Sequence, residues 1–178
     1  MTSLPHATLV LGGARSGKSV YAENLALGAN AEGGAVYLAT AQAHDEEMRA
    51  RIKTHQKRRG AAWTTMDVPT DLTLALKSDA CCGRVVLVDC LTLWITNLMM
   101  AEKNVDHAVA ELCATIPSLT ARTVFVSNEV GLGIVPDNDM ARAFRDHAGS
   151  AHQKLAEVCN RVVFVAAGLP LIMKDEQT

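Results

Sequence analysis

The sequence predicts an α/β fold: a mainly parallel sheet with helices on both faces, three layers in all. Three observations predict it. Short apolar, β-branched runs alternate with helical patterns along the chain, as in successive βα units. The apolar runs are continuous rather than alternating, so the strands are covered on both faces, as parallel sheets require. The segment Gly12-Gly13-Ala14-Arg15-Ser16-Gly17-Lys18-Ser19 fits the phosphate-loop pattern G-x-x-x-x-G-K-[ST], and it lies between a strand and a helix. Together these features specify a P-loop NTPase-type sheet.

Each element can be justified in order. Ala7 to Leu11 is an apolar strand that runs into the phosphate loop, and Val20 to Leu27 is the helix that follows. Ala35 to Thr40 is the second strand, introduced by Gly33-Gly34. A polar helix is expected from about Asp45 to Arg59, stopped by Gly60. Trp63 to Val68 reads as a short strand, and Pro69-Thr70-Asp71 as the start of a short capped helix. Arg84 to Cys90 is the clearest buried strand. Helical material fills Leu93 to Ala121, with a break near Asn104 and an end near Pro117. Thr123 to Ser127 is a strand, Asn128 to Asn138 a loop, Asp139 to Cys159 a long helix and Arg161 to Ala166 the last strand. Right-handed crossovers collect the loops that follow the strands on one edge of the sheet, where the chemistry is expected.

Composition narrows the class. The chain has 178 residues, 49% of them hydrophobic, 20% charged and 4% aromatic, which suits one domain spanning residues 1–178. A net charge of −2 provides no basic field for nucleic acid. No apolar run approaches the roughly 18 residues needed to span a bilayer, and no long apolar segment near the N-terminus suggests a signal peptide. The five cysteines (Cys81, Cys82, Cys90, Cys113 and Cys159) are odd in number and form no C-x-x-C pair, so neither a zinc site nor a redox dithiol is expected. A reducing cytoplasm is the expected compartment, with Cys90 a small core residue.

The phosphate loop implies a bound nucleoside triphosphate. Unpaired amides at a helix N-terminus attract anions, and glycines allow close backbone approach. Lys18 reaches the β/γ-phosphates, and the Ser19 hydroxyl can ligate Mg²⁺. Asp89 ends a buried strand, read as lying beside the phosphate-loop strand, where a carboxylate supports Mg²⁺. Met48, Ile52 and His55 share one helix face, with Lys53, Lys57, Arg58 and Arg59 making the helix end basic. A neutral imidazole there can attack an α-phosphorus, although an inward-facing histidine taken alone is more often structural. His107, His147 and His152 read as ordinary helix residues, and His44 stays open. The loop from Asn128 through Glu129, Gly131 and Gly133 to Pro136 is longer than most βα connections, as substrate loops often are.

These residues resemble a known family, the bifunctional adenosylcobinamide kinase/adenosylcobinamide-phosphate guanylyltransferases of cobalamin biosynthesis. The resemblance is carried by GGARSGKS at Gly12–Ser19, by Tyr37 to Gln42, by Asp45 through His55 to Trp63, and by Ser127 to Pro136 with its continuation to Gly149. It implies phosphorylation of adenosylcobinamide by ATP or GTP. Transfer of GMP from GTP to the new phosphate follows, through a guanylylated histidine at the position of His55. It further implies nucleotide contacts at the phosphate loop, at Ala39, Thr40 and Ala41, at Gln56, Lys57, Arg58 and Arg59, and at Asp67 and Asp89. Some relatives carry Glu at the last two positions, one methylene longer. Oligomers are usual in the family, and a trimer is expected here. Asp89 and Glu129 both remain candidates for the base of the kinase step. Two readings of other classes compete: a single-activity P-loop small-molecule kinase, and a nucleotide-operated switch without turnover.

Overall fold

A computed structural model of the chain describes residues 4–29, 34–42, 46 and 62–176. Its seven strands are β1 (Ala7–Gly12), β2 (Ala35–Ala39), β3 (Trp63–Asp67), β4 (Val85–Asp89), β5 (Arg122–Asn128), β6 (Arg161–Ala166) and β7 (Leu169–Asp175). They form one sheet in the order β3-β2-β4-β5-β1-β6-β7. All pairings are parallel except β6 with β7. The helices are α1 (Lys18–Gly28), α2 (Leu72–Leu76), α3 (Leu91–Met100), α4 (Val105–Thr115) and α5 (Asp139–Val158), with a 3₁₀ turn at Ile116–Ser118.

The central strands are buried on both faces, and neighbouring residues feed different cores. Leu9, Leu38, Val86, Val88 and Phe125 pack with Trp94, Leu112 and Leu155 on the face covered by α3, α4 and α5. Val10, Tyr37, Leu87, Val124 and Val126 pack with Ala22 and Ala26 of α1 on the other face. This alternation is the period-two geometry of a strand with helices on both sides. It explains why the strands read as unbroken apolar runs.

Three local expectations change. The strand bearing Asp89 is not next to the phosphate-loop strand, because β5 lies between β4 and β1. Asp71 precedes α2 but makes no side-chain cap; its carboxylate faces Lys103 Nζ at 3.1 Å instead. The strand after β6 was not anticipated. Ala167 and Gly168 turn the chain with φ of 53° and 79°, the two positive values a tight two-residue hairpin turn needs. Pro170 masked the signal, since proline is tolerated only on edge strands, and β7 is an edge. Arg161 closes the hairpin by a two-pronged contact with Asp175 at 3.0 and 3.1 Å.

Candidate active site

The phosphate loop is shaped by close packing. Gly12 ends β1, and a Cβ there would lie 2.5 Å from Val165 O and 2.6 Å from Ser16 Oγ. Gly17 caps α1 at φ 92°, a conformation costly for any residue with a Cβ. A Cβ on it would also lie 3.1 Å from Gly168 Cα. Gly168 N–H donates to Ser16 O at 2.8 Å, so the β6–β7 turn backs the loop directly. Lys18 Nζ donates to Gly13 O at 3.0 Å, arching over the loop it serves. Burial lowers the Lys18 pKa, while Cys90 and the Asp89 charge act in the opposite direction. Ser16 Oγ is buried with no hydrogen-bond partner among the described residues. It is one unfilled polar position in a cradle built for an anion. Ser19 stands half-buried on the first turn of α1.

The ends of β2, β3 and β4 lie level, with Ala39 opposite both Asp67 and Asp89. Asp89 Oδ2 accepts the Tyr37 hydroxyl at 2.6 Å, which fixes the carboxylate at the sheet edge. Thr40 is fully buried, and its hydroxyl is engaged twice. It donates to Cys90 O at 2.7 Å and accepts from Cys90 N at 2.8 Å. Asn97 of α3 then holds the strand end, donating to Thr40 O at 2.7 Å and Pro69 O at 2.9 Å. Burial and the Asp89 charge push the Cys90 thiol up to about 11, so Cys90 is an inert core thiol rather than a nucleophile.

The end of β5 completes the edge. Gly12 pairs with Asn128 in register, and Glu129 N–H donates to Gly12 O at 3.0 Å. Asn128 Nδ2 donates to Thr92 Oγ1 at 3.0 Å. One Glu129 carboxylate oxygen accepts the Gly131 amide. Beyond it the loop is open to solvent, with Leu132 84% and Ile134 97% exposed. Asn138 ends the loop as a true cap, accepting from Ala141 N at 2.8 Å.

The sequence matches the family described as cobinamide kinase / cobinamide phosphate guanyltransferase over residues 8–173. The chain belongs to this family. Among its relatives, a bifunctional adenosylcobalamin biosynthesis protein, CobP of Pseudomonas aeruginosa, is 48% identical, with 94% of this chain and 97% of that one aligned. The CobU protein of Salmonella typhimurium is 38% identical, over 93% of this chain and 98% of its own. The fold is shared more widely. The flagellar accessory protein FlaH of Methanocaldococcus jannaschii superposes with a TM-score of 0.56 at 16% identity, covering 97% of this chain and 80% of that one. A solved ATPase domain superposes at 0.50 and 11% identity, covering 92% and 70%.

For this cobinamide kinase / cobinamide phosphate guanyltransferase chain, the structure brings Gly12–Ser19, Ala39–Ala41, Asp67, Asp89, Asn128 and Glu129 to one sheet edge. His44, His55, Gln56, Lys57, Arg58 and Arg59 lie outside the described residues. Sequence patterns assign no site role to four contributors: Tyr37, Asn97, Gly168 and His152. Of these, His152 corrects an expectation. It is no ordinary helix residue, being buried with Nε2 2.7 Å from Ser127 Oγ. Ala148, Ala151, His152 and Leu155, all buried, fall at i, i+3, i+4 and i+7, and this helix-face pattern is the signal that marks His152 as inward-facing. No described helix is long and apolar enough to cross a membrane.

Proposed function

We propose that this chain carries out both reactions named by its family, on nucleoside triphosphates held at Gly12–Ser19. In the first, a nucleoside triphosphate phosphorylates the aminopropanol hydroxyl of adenosylcobinamide. In the second, His55 takes GMP from GTP, releasing pyrophosphate, and passes it to the new phosphate to give adenosylcobinamide-GDP. The observation that carries this reading is the phosphate loop within a full-length family match.

Each residue has an assigned task. The loop amides and Lys18 neutralise the phosphates. Ser16 Oγ, unpartnered in its buried position, is suited to a phosphate oxygen. Ser19 and Asp89 are oxygen donors of the kind Mg²⁺ takes. Among the described residues no group of three acidic, histidine or cysteine side chains forms a cation cage. A magnesium ion shared between one or two protein oxygens and the phosphates fits that arrangement. Ser19 and Asp89 would hold a bound Mg²⁺, which would supply charge neutralisation to the phosphates. The Thr40 hydroxyl is engaged by Cys90, so nucleotide contacts at this segment fall to its backbone and to Ala39 and Ala41. Gln56, Lys57, Arg58 and Arg59 are assigned to the nucleotide with His55. The Asn128–Pro136 loop, with Glu129, Gly131 and Gly133, is assigned to the corrinoid substrate; its exposed Leu132 and Ile134 suit an apolar ring face.

Incubation with adenosylcobinamide and GTP, followed by mass analysis of the corrinoid, tests the reading. Masses of the phosphate and of the GDP conjugate are expected; an unchanged corrinoid overturns it. His55→Ala is expected to abolish protein labelling from α-labelled GTP while leaving cobinamide phosphorylation in place. Labelled His55→Ala protein would make another residue the nucleophile.

The same reading includes a homo-oligomer, with a trimer expected. The edge strand β7 leaves Leu169, Leu171, Ile172 and Met173 exposed, an apolar strip that a second copy of the chain would cover. Sedimentation of wild type and Ile172→Lys checks this: an oligomer is expected to shift toward monomer, and a wild-type monomer rules it out.

A further inference from the structure

His152 sits on the buried face of α5, 7% exposed. Its Nε2 lies 2.7 Å from Ser127 Oγ, and its Nδ1 faces Glu129 Oε2 at 3.9 Å. Glu129 is the residue whose backbone is fastened to Gly12 of the phosphate loop. A buried histidine on one element therefore faces a carboxylate that another element ties to the site.

The proton inventory assigns the tautomer. Ser127 is fully buried, and among the described residues Nε2 is the hydrogen-bond partner of its hydroxyl. The hydroxyl proton points at Nε2, so Nε2 accepts and Nδ1 carries the ring proton. The opposite tautomer would aim a lone pair at the Glu129 carboxylate. At 3.9 Å the Nδ1–H and Oε2 pair is an electrostatic contact rather than a hydrogen bond. Burial lowers the His152 pKa against the pull of Glu129, which keeps the ring neutral near pH 7. The Glu129 carboxylate thus accepts the Gly131 amide at Oε1 and faces the imidazole at Oε2 across 3.9 Å. Asp89, the other candidate base, already accepts the Tyr37 hydroxyl at 2.6 Å.

We propose that His152 is a positioning residue for the kinase step, orienting Glu129 to accept the proton of the substrate hydroxyl. The inference rests on the kinase reading above. In the step, the hydroxyl oxygen of the acceptor bonds to the γ-phosphorus while the bond from that phosphorus to the β–γ bridging oxygen breaks. The electron pair of that bond leaves with the nucleoside diphosphate, and the hydroxyl proton passes to Glu129 Oε2. Ser127 fixes the imidazole that fixes the carboxylate.

Four variants of the full chain test this: Glu129→Gln, His152→Gln, His152→Asn and the double variant Glu129→Gln/His152→Gln. Gln at 152 keeps an amide near the Nε2 position, and Asn keeps one near Nδ1. Glu129→Gln is expected to lower the kinase kcat about 100-fold or more. His152→Gln is expected to lower it about tenfold with KM for nucleotide and cobinamide unchanged, and His152→Asn to recover part of that loss. In the Glu129→Gln background, His152→Gln is expected to cost nothing further. Guanylyl transfer to separately supplied cobinamide phosphate is expected to proceed at the wild-type rate in His152→Gln. Full kinase kcat in Glu129→Gln overturns the proposal. So do additive losses in the double variant, or parallel losses of both activities in His152→Gln. A wild-type chain that leaves cobinamide unphosphorylated overturns the kinase reading itself, and the proposal with it.

Discussion

At the scale of single residues, the site is governed by space and by hydrogen-bond inventory. Gly12 and Gly13 are adjacent and chemically identical, yet their surroundings differ. A Cβ on Gly12 would press on a backbone carbonyl and Ser16 Oγ, whereas one on Gly13 meets nothing within 4 Å. Gly12→Ala is expected to destabilise the fold by about 1–3 kcal/mol and to weaken nucleotide binding. Gly13→Ala is expected to stay within about 0.5 kcal/mol of wild type. Urea melts and nucleotide titrations of the pair check this, and equal destabilisation would mean that the loop relaxes around the added methyl. The motif fixes glycine at Gly12 and leaves Gly13 free, but it does not show the cause, because the atom that crowds Gly12 belongs to Val165, far along the chain.

At the scale of elements, the strand ends are held by side chains that belong to other elements. Asn97 reaches from α3 to two carbonyls, those of Thr40 and Pro69. Asn97→Ala leaves the buried Thr40 carbonyl and the part-buried Pro69 carbonyl without this donor, an expected loss of about 1–3 kcal/mol. Because those carbonyls anchor the segments after β2 and β3, the nucleotide KM is expected to rise as well. Thermal melts and kinase assays on the variant decide it: a stability loss with unchanged KM would restrict Asn97 to a structural role. Helix boundaries were legible where a cap or proline marks them. Asn104 caps α4, accepting from His107 N at 2.9 Å, and Pro117 lies in the 3₁₀ turn that follows α4. Asp71 was misread, because a capping residue type in the right place competes with other partners, here Lys103.

At the scale of the whole molecule, stability depends on pH through the α5–sheet contact. His152 has a depressed pKa in the folded state because it is buried, although Glu129 offsets part of that effect. The unfolded chain therefore binds a proton near its ordinary pKa of 6.5, while the folded chain does so only at lower pH. Stability from this group is present above the unfolded value and declines as pH falls from there toward the folded value. Wild type is expected to lose more stability than His152→Gln between about pH 7 and pH 5. Denaturant melts across that range measure the difference, and identical slopes would show that the imidazole is protonated equally in both states.

The sequence by itself determined the phosphate loop, the run of buried strands, the helices between them and the family. Each is written in local pattern: a motif of fixed spacing, a period of two or 3.6, or segments matched across nearly the whole chain. Only the tertiary structure decided the order of the strands, with β5 between Asp89 and the phosphate loop. It alone decided the β6–β7 turn that backs Ser16 and Gly17. The same holds for Tyr37 on Asp89, Asn97 on Thr40, and His152 between Ser127 and Glu129. The physical reason is common to all of them. A buried polar group must find a partner, and the hydrogen-bonded partners here lie 25 to 57 residues away in sequence. At that distance no period or motif pairs donor with acceptor, and only the packed sheet and its helices bring the two together.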